Sequence, residues 1–282
     1  MLSRLRNILK PTAPQTPDPQ APRAELPPQT LDFTHEDARL AGWFEEGTGE
    51  LLRGFAIQPE HQVIDVGCGD NTFIDFCARQ GAEVTFVDIL PDMVANAELR
   101  LKDSPARGIH GIVCDAGPLP LPDRHFDRVV CTEVIEHVDD PADFLHELVR
   151  IGKPGALFLL SVPDPASESV QKELAPPVHF EKPNHINFFT REAFDQLITN
   201  GGLIIENKSY NGFFWSIFWT FFWSCDQDLP PPLHPVLESW ARTWELMLKT
   251  KDGPRIKHAL DQVMPKSQVV IARKPYSSGS NQ

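Results

Sequence analysis

The chain has 282 residues, of which 41% are hydrophobic and 23% are charged. It is long enough to bury one substantial core, and its length favours one elaborated domain over two. The formal net charge of -13 at pH 7 repels polyanions, which disfavours nucleic acid and acidic lipid as partners and favours a small or neutral substrate.

The first 30 residues do not have the composition of a folded core. Residues 11–30 are rich in proline, which favours extended chain and lacks amide donors, so we expect a disordered linker there. The ten residues before it mix basic and aliphatic side chains. They form either a frayed terminus or a short amphipathic anchor at a membrane surface. They lack the apolar stretch and cleavage site of a secretory signal.

Five cysteines are spread along the chain without paired spacing: Cys68, Cys77, Cys114, Cys131 and Cys225. Four of them lie in or beside predicted core elements, which is typical of reduced, buried thiols. We therefore expect a cytoplasmic protein, with peripheral membrane contact as an open alternative.

Strand and helix patterns alternate after a helical stretch predicted over residues 35–55. Short β-branched runs predict strands at residues 62–66, 84–88, 111–115, 126–131 and 156–162. Because helical segments separate most of these runs, the strands should be parallel and joined by right-handed crossovers. Two later strands are predicted at residues 203–208 and 268–273, the last of them antiparallel at the sheet's end.

The sequence therefore predicts an α/β fold. We expect a Rossmann-like, open and mostly parallel sheet with an antiparallel C-terminal strand, helices on both faces and a small cap insertion. The predicted boundaries are a cofactor-binding core over residues 31–210, an aromatic-rich helical cap over 211–265, a final strand within 266–276 and a disordered polar tail over 277–282.

Two segments outside the sheet are candidates for substrate selection. Residues 164–187 form a long connection that contains several prolines, which predicts a partly ordered lid. Residues 212–223 are mostly aromatic, and as a helix they are too few to span a bilayer. This run is a buried cap helix, the wall of a hydrophobic substrate tunnel, or an interfacial anchor with Trp215, Trp219 and Trp223 on one face. Residues 233–263 have a helical pattern.

Acidic residues and glycines end the first three strands of the predicted core. Ligands of such sheets bind outside the carboxyl ends of the strands, where this sequence has Asp65, Asp88 and Asp115. Gly67 and Gly69 allow a tight turn and a close approach of the backbone to a ligand. An acidic residue about 20 positions past such a loop can accept both hydroxyl hydrogens of a ribose. On spacing alone, the ligand could also be a dinucleotide.

In combination these residues resemble the class I S-adenosylmethionine (SAM)-dependent methyltransferases over residues 62–203. Asp65-Val-Gly-Cys-Gly is similar to the first motif of that family, and Asn71 stands where many members have a third glycine. The resemblance implies that SAM is the cofactor. It also implies a set of cofactor-binding residues, namely Asp65, Gly67, Cys68, Gly69, Asp88, Ile89, Asp115, Ala116 and Glu133.

The segment after the fourth strand, Cys131-Thr-Glu-Val-Ile-Glu-His-Val, concentrates ionisable side chains. If it is helical, Glu133, Glu136 and His137 share one face. Buried together, two carboxylates and an imidazole would repel or remain unsatisfied unless a cation or substrate lay between them. A divalent metal with oxygen and nitrogen ligands is one solution.

The Glu-x-x-Glu-His arrangement resembles the metal-dependent O-methyltransferases of ubiquinone synthesis and the small-RNA 2′-O-methyltransferases. In the small-RNA family a further histidine follows the fifth strand, and residues 184–191 resemble that segment. The implied metal ligands are Glu133, Glu136, His137 and His185, and His179 is the second choice for the position given to His185. The segment also occurs in metal-free methyltransferases, where the glutamate reaches the methionine moiety and the histidine is a general base or simply packs. His137 is the leading catalytic candidate either way, followed by Glu133.

These features predict a SAM-dependent methyltransferase that transfers a methyl group directly to a hydroxyl of a small, glycan or lipid-linked acceptor. A metal-dependent RNA 2′-O-methyltransferase is the first alternative, although the net charge argues against phosphate tracking. The second alternative is a non-catalytic SAM-binding protein that docks on a membrane through the first ten residues and the aromatic run.

Overall fold

The computed structural model describes residues 33–115, 117–225 and 232–276. Three predictions fall outside these ranges: the N-terminal segment over residues 1–30, the assignment of Ala116 to the cofactor site and the polar tail over residues 277–282.

The described residues form strands in two sheets and helices around them. The strands are β1 (Trp43–Glu45), β2 (Glu50–Leu52), β3 (Phe55–Ala56), β4 (Gln62–Val66), β5 (Glu83–Asp88), β6 (Gly108–Val113), β7 (Phe126–Thr132), β8 (Gly152–Pro163), β9 (Ile204–Asn211) and β10 (Ser267–Arg273). The helices are α1 (Thr34–Leu40), α2 (Phe73–Arg79), α3 (Pro91–Leu101), α4 (Pro141–Ile151), α5 (Pro165–Leu174), α6 (Arg191–Asn200), α7 (Phe213–Ser224), α8 (Pro235–Leu248) and α9 (Gly253–Val263), with 3-10 turns at Ile135–His137 and Pro177–Phe180.

The large sheet has seven strands in the order β6-β5-β4-β7-β8-β10-β9. The strands from β6 to β8 in this order are parallel, and β10 is antiparallel to both of its neighbours. This topology confirms the predicted fold class. The predicted position of the last strand was wrong, however, because β10 lies between β8 and β9 and not at the sheet's end. Its burial agrees with an inner position: every residue of β10 before Arg273 is buried, whereas much of β9 is exposed.

Hydrophobic clusters cover both faces of the sheet. Successive residues of β4 point to opposite faces, so Val63 belongs to the cluster under α2 and α3, whereas Ile64 belongs to the cluster on the other face. Phe144 of α4 and Phe194 of α6 fill this second cluster and are at most 3% exposed. The helices on both faces that the alternating pattern predicted are therefore present.

The segment predicted as helical over residues 35–55 is divided among a short helix, three short strands and turns, so that prediction was wrong. Only α1 is helical, and β1, β2 and β3 then form a small antiparallel sheet. Gly42, Gly49 and Gly54 have φ values of 93°, 69° and 93°, which a continuous right-handed helix does not allow. Leu51 and Leu52 are both buried in the core.

The strand predicted at residues 111–115 lies earlier, at Gly108–Val113. Its register explains the shift, because Gly108 pairs with Glu83 and Val113 pairs with Asp88 along the whole of β5. Asp115 consequently follows the strand instead of ending it.

The connection over residues 164–187 is more regular than predicted, since it contains α5 and the 3-10 turn at Pro177–Phe180. The Asp164 side chain accepts a hydrogen bond from the Ala166 backbone N–H at 2.9 Å and so caps the start of α5. The same carboxylate accepts a hydrogen bond from Arg191 Nε at 2.7 Å, at the start of α6. Asp164 therefore links α5 of the lid to α6.

The aromatic run forms α7, which packs with α5, α8 and α9. Phe214, Phe218 and Phe222 are buried in a third cluster with Leu237 and Trp244 of α8. This packing favours the interpretation as a cap helix. The helical pattern over residues 233–263 corresponds to α8 and α9. No helix among the described residues is long and apolar enough to cross a membrane.

Candidate active site

A cleft of 380 Å³ opens at the carboxyl ends of β4, β7 and β8. Its walls come from the glycine loop after β4, the start of the segment after β7, the first residues of β10 and α1 with the chain that follows it. A larger and more open hollow of 590 Å³ lies over β5 and β6, but none of the predicted site residues line it. The cleft is therefore the candidate site.

The glycine loop is held against the end of β5 by backbone hydrogen bonds. The N–H groups of Gly67 and Cys68 donate to the Val87 carbonyl at 2.8 and 3.0 Å. Gly67 has a φ of 78°, and a Cβ built on it would lie 2.3 Å from Val134 Cγ2. Both the backbone conformation and the close approach of Val134 therefore require glycine at this position.

Asp88 fixes the same loop from the next strand. Its carboxylate accepts hydrogen bonds from the Gly69 N–H at 2.8 Å and from the Leu90 N–H at 2.9 Å. Each carboxylate oxygen has a second lone pair that remains available to a ligand. The sequence predicted a binding role for Asp88 but not its role in shaping the loop.

The ends of β5 and β6 are adjacent, since the Cys114 N–H donates to the Asp88 carbonyl at 3.1 Å. The Ile89 side chain is 59% exposed, and Asp115 is also exposed. Asp88, Ile89 and Asp115 thus lie at the same sheet edge as the glycine loop, but they are not part of the cleft's lining.

Asp65 is a buried carboxyl group at the base of the loop. It is 1% exposed, and neither of its oxygens has a hydrogen-bond partner among the described residues. Burial raises the pKa of Asp65 to about 7; the charges of Asp88 and Asp75 add to the shift, and the nearby Asn71 side chain opposes it. A buried carboxyl with two unsatisfied oxygens fits a ligand that brings hydrogen-bond donors or positive charge.

Glu133 lies inside the cleft with both carboxylate oxygens occupied. Ser161 Oγ donates to Oε1 at 3.0 Å, and Lys266 Nζ forms an ion pair with Oε2. Burial alone would raise the pKa of Glu133, but the Lys266 charge and these hydrogen bonds lower it below its ordinary value. Its φ of 56° makes it one of the few non-glycine residues with positive φ, a conformation that concentrates at functional sites.

The prediction that Glu133, Glu136 and His137 share a helix face was wrong. Residues Ile135–His137 form a short 3-10 turn that begins after Glu133, so the α-helical spacing does not apply. The Glu133 side chain pairs with Lys266, whereas Glu136 and His137 lie close to His185.

A second cluster joins Glu136, His137 and His185, whose candidate ligand atoms all lie within 4.8 Å of one another. Glu136 is fully buried with no hydrogen bond to either carboxylate oxygen, and burial and the Glu133 charge raise its pKa well above the ordinary value. The His137 Nε2 lies 3.7 Å from Glu136 Oε1. The sequence predicted this juxtaposition of three residues, with His185 arriving from the distant segment after α5.

The two histidines are oriented by neighbours outside the cluster. His137 Nδ1 lies 3.1 Å from the Pro183 carbonyl, and His185 Nδ1 lies 2.9 Å from Glu168 Oε1. Because a carbonyl only accepts, it assigns the proton of neutral His137 to Nδ1 and the lone pair to Nε2.

His179, the second candidate from the sequence for a fourth metal ligand, lies beside His185. Its ring centroid is 4.7 Å from that of His185 and 4.9 Å from that of Trp223. Burial lowers the pKa of His179 to about 4, and the neighbouring histidines His185 and His137 add to the shift. His179 is therefore a neutral ring at neutral pH that packs between the cluster and the aromatic helix.

Sequence reasoning missed three polar residues of the site: Lys266, Ser161 and Glu168. Lys266 is 133 positions from Glu133 in the chain, and no motif links the two. Glu168 lies in a lid helix whose register could not be read from the sequence. The strand alternation of β8 was the only available signal for Ser161, and it does not indicate which polar residue faces a ligand.

Comparison with known proteins agrees with this geometry. A family model described as a methyltransferase domain matches residues 35–207. A ubiquinone biosynthesis O-methyltransferase of Xylella fastidiosa is 30% identical over 143 residues, which is 51% of each protein, so the chain spans about half the length of this curated relative. The protein of the same name from Xanthomonas campestris is 29% identical over 202 residues, or 67% of this chain and 77% of that protein.

Two solved structures have the same fold at low sequence identity. Geranyl diphosphate C-methyltransferase from Streptomyces coelicolor is 14% identical with a TM-score of 0.57, and the match covers 92% of this chain and 86% of that one. A SAM-dependent methyltransferase from Aquifex aeolicus is 14% identical with a TM-score of 0.50, and the match covers 89% and 100%.

Proposed function

The chain belongs to the methyltransferase-domain family of class I SAM-dependent enzymes, and from this premise we propose that it methylates a hydroxyl group of a small, glycan or lipid-linked acceptor. The observation that carries the proposal is the cleft itself. It brings the glycine loop and Glu133 together, and the unsatisfied carboxyl of Asp65 is buried at the base of that loop. His137 follows Glu133 by four residues.

The residues around the cleft fit SAM in chemical terms. The glycine loop, with Gly67, Cys68 and Gly69, brings backbone close to the ligand, and Asp65 and Glu133 suit its cationic methionine end. The spare lone pairs of Asp88 suit ribose hydroxyls. At the open edge, Ile89 gives an exposed apolar surface for the adenine ring, and Asp115 suits the adenine amine. Ala116, beyond the described residues, is assigned here by the family pattern alone.

SAM, when bound, supplies an electrophilic methyl group on a sulfonium. In the proposed transfer, the acceptor oxygen forms a bond to the methyl carbon while the carbon–sulfur bond breaks, and the hydroxyl proton passes to a base. His137 is the proposed base, since the Pro183 carbonyl assigns the imidazole lone pair to Nε2. Glu133 contributes by holding the cofactor. Because the methyl group passes directly to the acceptor oxygen, no covalent enzyme intermediate is required.

A divalent metal is an alternative route to the same transfer, because the one lone pair of His137 Nε2 cannot bind a metal and accept a proton at once. Glu136, His137 and His185 fit it, because they combine a buried carboxylate without partners and two imidazoles within 4.8 Å. When bound, a metal would lower the pKa of an acceptor hydroxyl that it chelates. Glu133, the fourth ligand predicted from the sequence, is not part of this proposal, because the group of ligand atoms within 4.8 Å of one another contains only the other three residues.

The names of the curated relatives support oxygen as the methylated atom. The aromatic cap over the cleft supports an acceptor with an apolar part, because Trp215 of α7 lines the cleft. A metal held by Glu136, His137 and His185 could chelate a vicinal diol, which makes the end of an RNA a second candidate acceptor. The net charge of -13 weighs against phosphate binding.

The test is turnover with SAM and a panel of catechols, quinol-type phenols, sugars and RNA ends. We expect S-adenosylhomocysteine to form only with an acceptor hydroxyl, and we expect His137→Ala to lower the rate constant by about 10²-fold or more while SAM still binds. His146→Ala, an exposed histidine on α4, is the matched control and should behave as wild type. Undiminished turnover by the His137 variant would refute its assigned role.

A further inference from the structure

Lys266 occupies a fixed position between the cofactor cleft and the histidine cluster. Its backbone N–H donates to the Asn211 carbonyl at 2.9 Å, and its carbonyl accepts from the Asp164 N–H at 2.8 Å. The side chain is 29% exposed and its ammonium group pairs with Glu133. Its backbone is therefore held on both sides, which places the side chain within reach of Glu133.

The ammonium group lies in a strongly acidic environment. Burial opposes its charge, but three surrounding carboxylates raise the pKa of Lys266 above its ordinary value. In order of their effect, these are Glu133, Glu136 and Glu168. Two of them, Glu136 and Glu168, also have buried oxygens without hydrogen-bond partners. The site therefore holds more buried carboxyl groups than Lys266 alone can pair with.

The cluster of Glu136, His137 and His185 offers a metal one carboxylate and two imidazole nitrogens. If Glu133 were released from Lys266, it would add a second carboxylate to one carboxylate and two imidazoles. Magnesium binds oxygen ligands almost exclusively, whereas manganese, iron, cobalt and zinc accept imidazole nitrogen. The position of one carboxylate thus decides which class of metal the site suits.

We propose that Lys266 is an internal counter-ion that holds Glu133 out of the metal-ligand set and so makes the site selective for nitrogen-accepting divalent metals over magnesium. This inference rests on the metal route of the proposed function. It assigns to Lys266 a positioning role: the residue acts on metal choice through Glu133 and Ser161 and does not itself touch the metal.

The experiment is calorimetric titration of Mn²⁺ and Mg²⁺ into the full chain, with Mn²⁺ also followed by electron paramagnetic resonance. We expect wild type to bind Mn²⁺ at least about tenfold more tightly than Mg²⁺. Lys266→Met frees Glu133 and should raise Mg²⁺ affinity by about tenfold, the scale on which residues outside the ligand set change metal affinity. Adding Glu133→Gln to that variant should remove the gain.

Two controls separate this effect from a general loss of charge or fold. Lys153→Met removes a lysine of comparable exposure that pairs with Asp127 elsewhere on the sheet, and it should leave both metal affinities unchanged. Lys266→Arg keeps the positive charge and should retain the wild-type preference. Far-ultraviolet circular dichroism of each variant checks that it is folded.

Three results would overturn the inference: no metal binding by wild type, an unchanged Mg²⁺ affinity in folded Lys266→Met, or weaker Mn²⁺ binding by Glu133→Gln alone, which would make Glu133 a ligand. SAM titration of the same wild-type sample distinguishes these from failure of the proposed function. SAM binding without metal binding would remove the inference and leave general-base methyl transfer by His137, whereas absence of SAM binding would remove the function itself.

Discussion

At the residue scale, the carboxyl groups at the site are of two kinds. Asp65 and Glu136 are buried carboxyls without partners, and burial raises the pKa of each. Glu133, three residues before Glu136 in the chain, is ionised because Lys266 and Ser161 stabilise its charge. The unsatisfied carboxyls mark the places where a cationic or donor ligand would relieve a desolvation cost.

Gly67→Ala is predicted to abolish SAM binding. The new Cβ would lie 2.3 Å from Val134 Cγ2 and would occupy a backbone with φ 78°. Gly202→Ala is the matched control, because Gly202 has φ 84° but nothing within 4 Å of its added Cβ. Both variants should lose about 1–2 kcal/mol to backbone strain, and only the first should lose affinity in a SAM titration. Equal loss of affinity in both would show that the contact with Val134 is not the cause.

The pKa of Asp65 predicts a pH-dependent stability. Its folded pKa of about 7 is above the ordinary value of 3.8, so the contribution is fully present below pH 3.8 and is lost as pH rises through 7. This contribution of Asp65 to the free energy of unfolding is on the order of 4 kcal/mol, at about 1.4 kcal/mol per pKa unit. In urea unfolding without SAM, the free energy of unfolding of Asp65→Asn should fall less steeply between pH 4 and 8 than that of wild type. Parallel curves would contradict the shifted pKa.

At the element scale, a buried ion network joins α1 to the cap. Lys257 Nζ of α9 lies 2.6 Å from Asp261 Oδ2 and 3.6 Å from Asp37 Oδ2 on α1. Trp244 Nε1 of α8 donates to Asp37 Oδ1 at 2.7 Å, and the Phe213 N–H at the start of α7 donates to Asp261 Oδ1 at 2.9 Å. Asp37 also lines the cofactor cleft, so the network links a wall of the cleft to the cap.

Lys257→Met is predicted to destabilise the fold strongly, because it leaves two buried aspartates facing each other without a cation. The expected loss is about 3–5 kcal/mol in the free energy of unfolding, measured by denaturant titration. Lys249→Met, on the exposed surface of the same cap and paired with Glu245, should change the unfolding midpoint little. A similar midpoint for the two variants would show that the buried network does not hold the cap.

The elements that the sequence predicted well are those with local signals. Alternating β-branched runs and helices placed the core strands within a few residues, and the glycine loop marked the cofactor end of the sheet. The helix predicted over residues 35–55 failed because its apolar spacing also fits short buried strands, and three positive-φ glycines decided the outcome. The place of β10 could not be predicted, since its partners are set by pairing across more than 50 residues.

The same limit applies to the site. Asp65 and Asp88 lie at the carboxyl ends of β4 and β5, and Gly67 follows β4, so position in the chain was enough to predict them as site residues. Glu136 and His137 came from a compact motif, and His185 from a second one. Lys266 changed the interpretation of Glu133, yet no spacing in the sequence brings these two together, because their contact depends on the packing of β10 beside β8.

At the scale of the whole molecule, the sheet, the lid and the cap converge on one edge. The parallel strands bring the acidic strand ends side by side, the lid contributes His185 and Glu168, and the cap covers the cleft with aromatic side chains. The central claim is that this edge binds SAM through the glycine loop and Asp88, whose carboxylate also holds Gly69 in place.

The most direct test is isothermal titration of SAM into purified wild type, Asp88→Asn and the control Asp195→Ala, a surface residue paired with Lys208. We expect one SAM per chain for wild type and the control, and an affinity loss of about 10-fold or more for Asp88→Asn, since a charge-assisted hydrogen bond contributes about 1.5–3 kcal/mol. No binding of SAM by folded wild type, or equal affinity for all three proteins, would contradict the account.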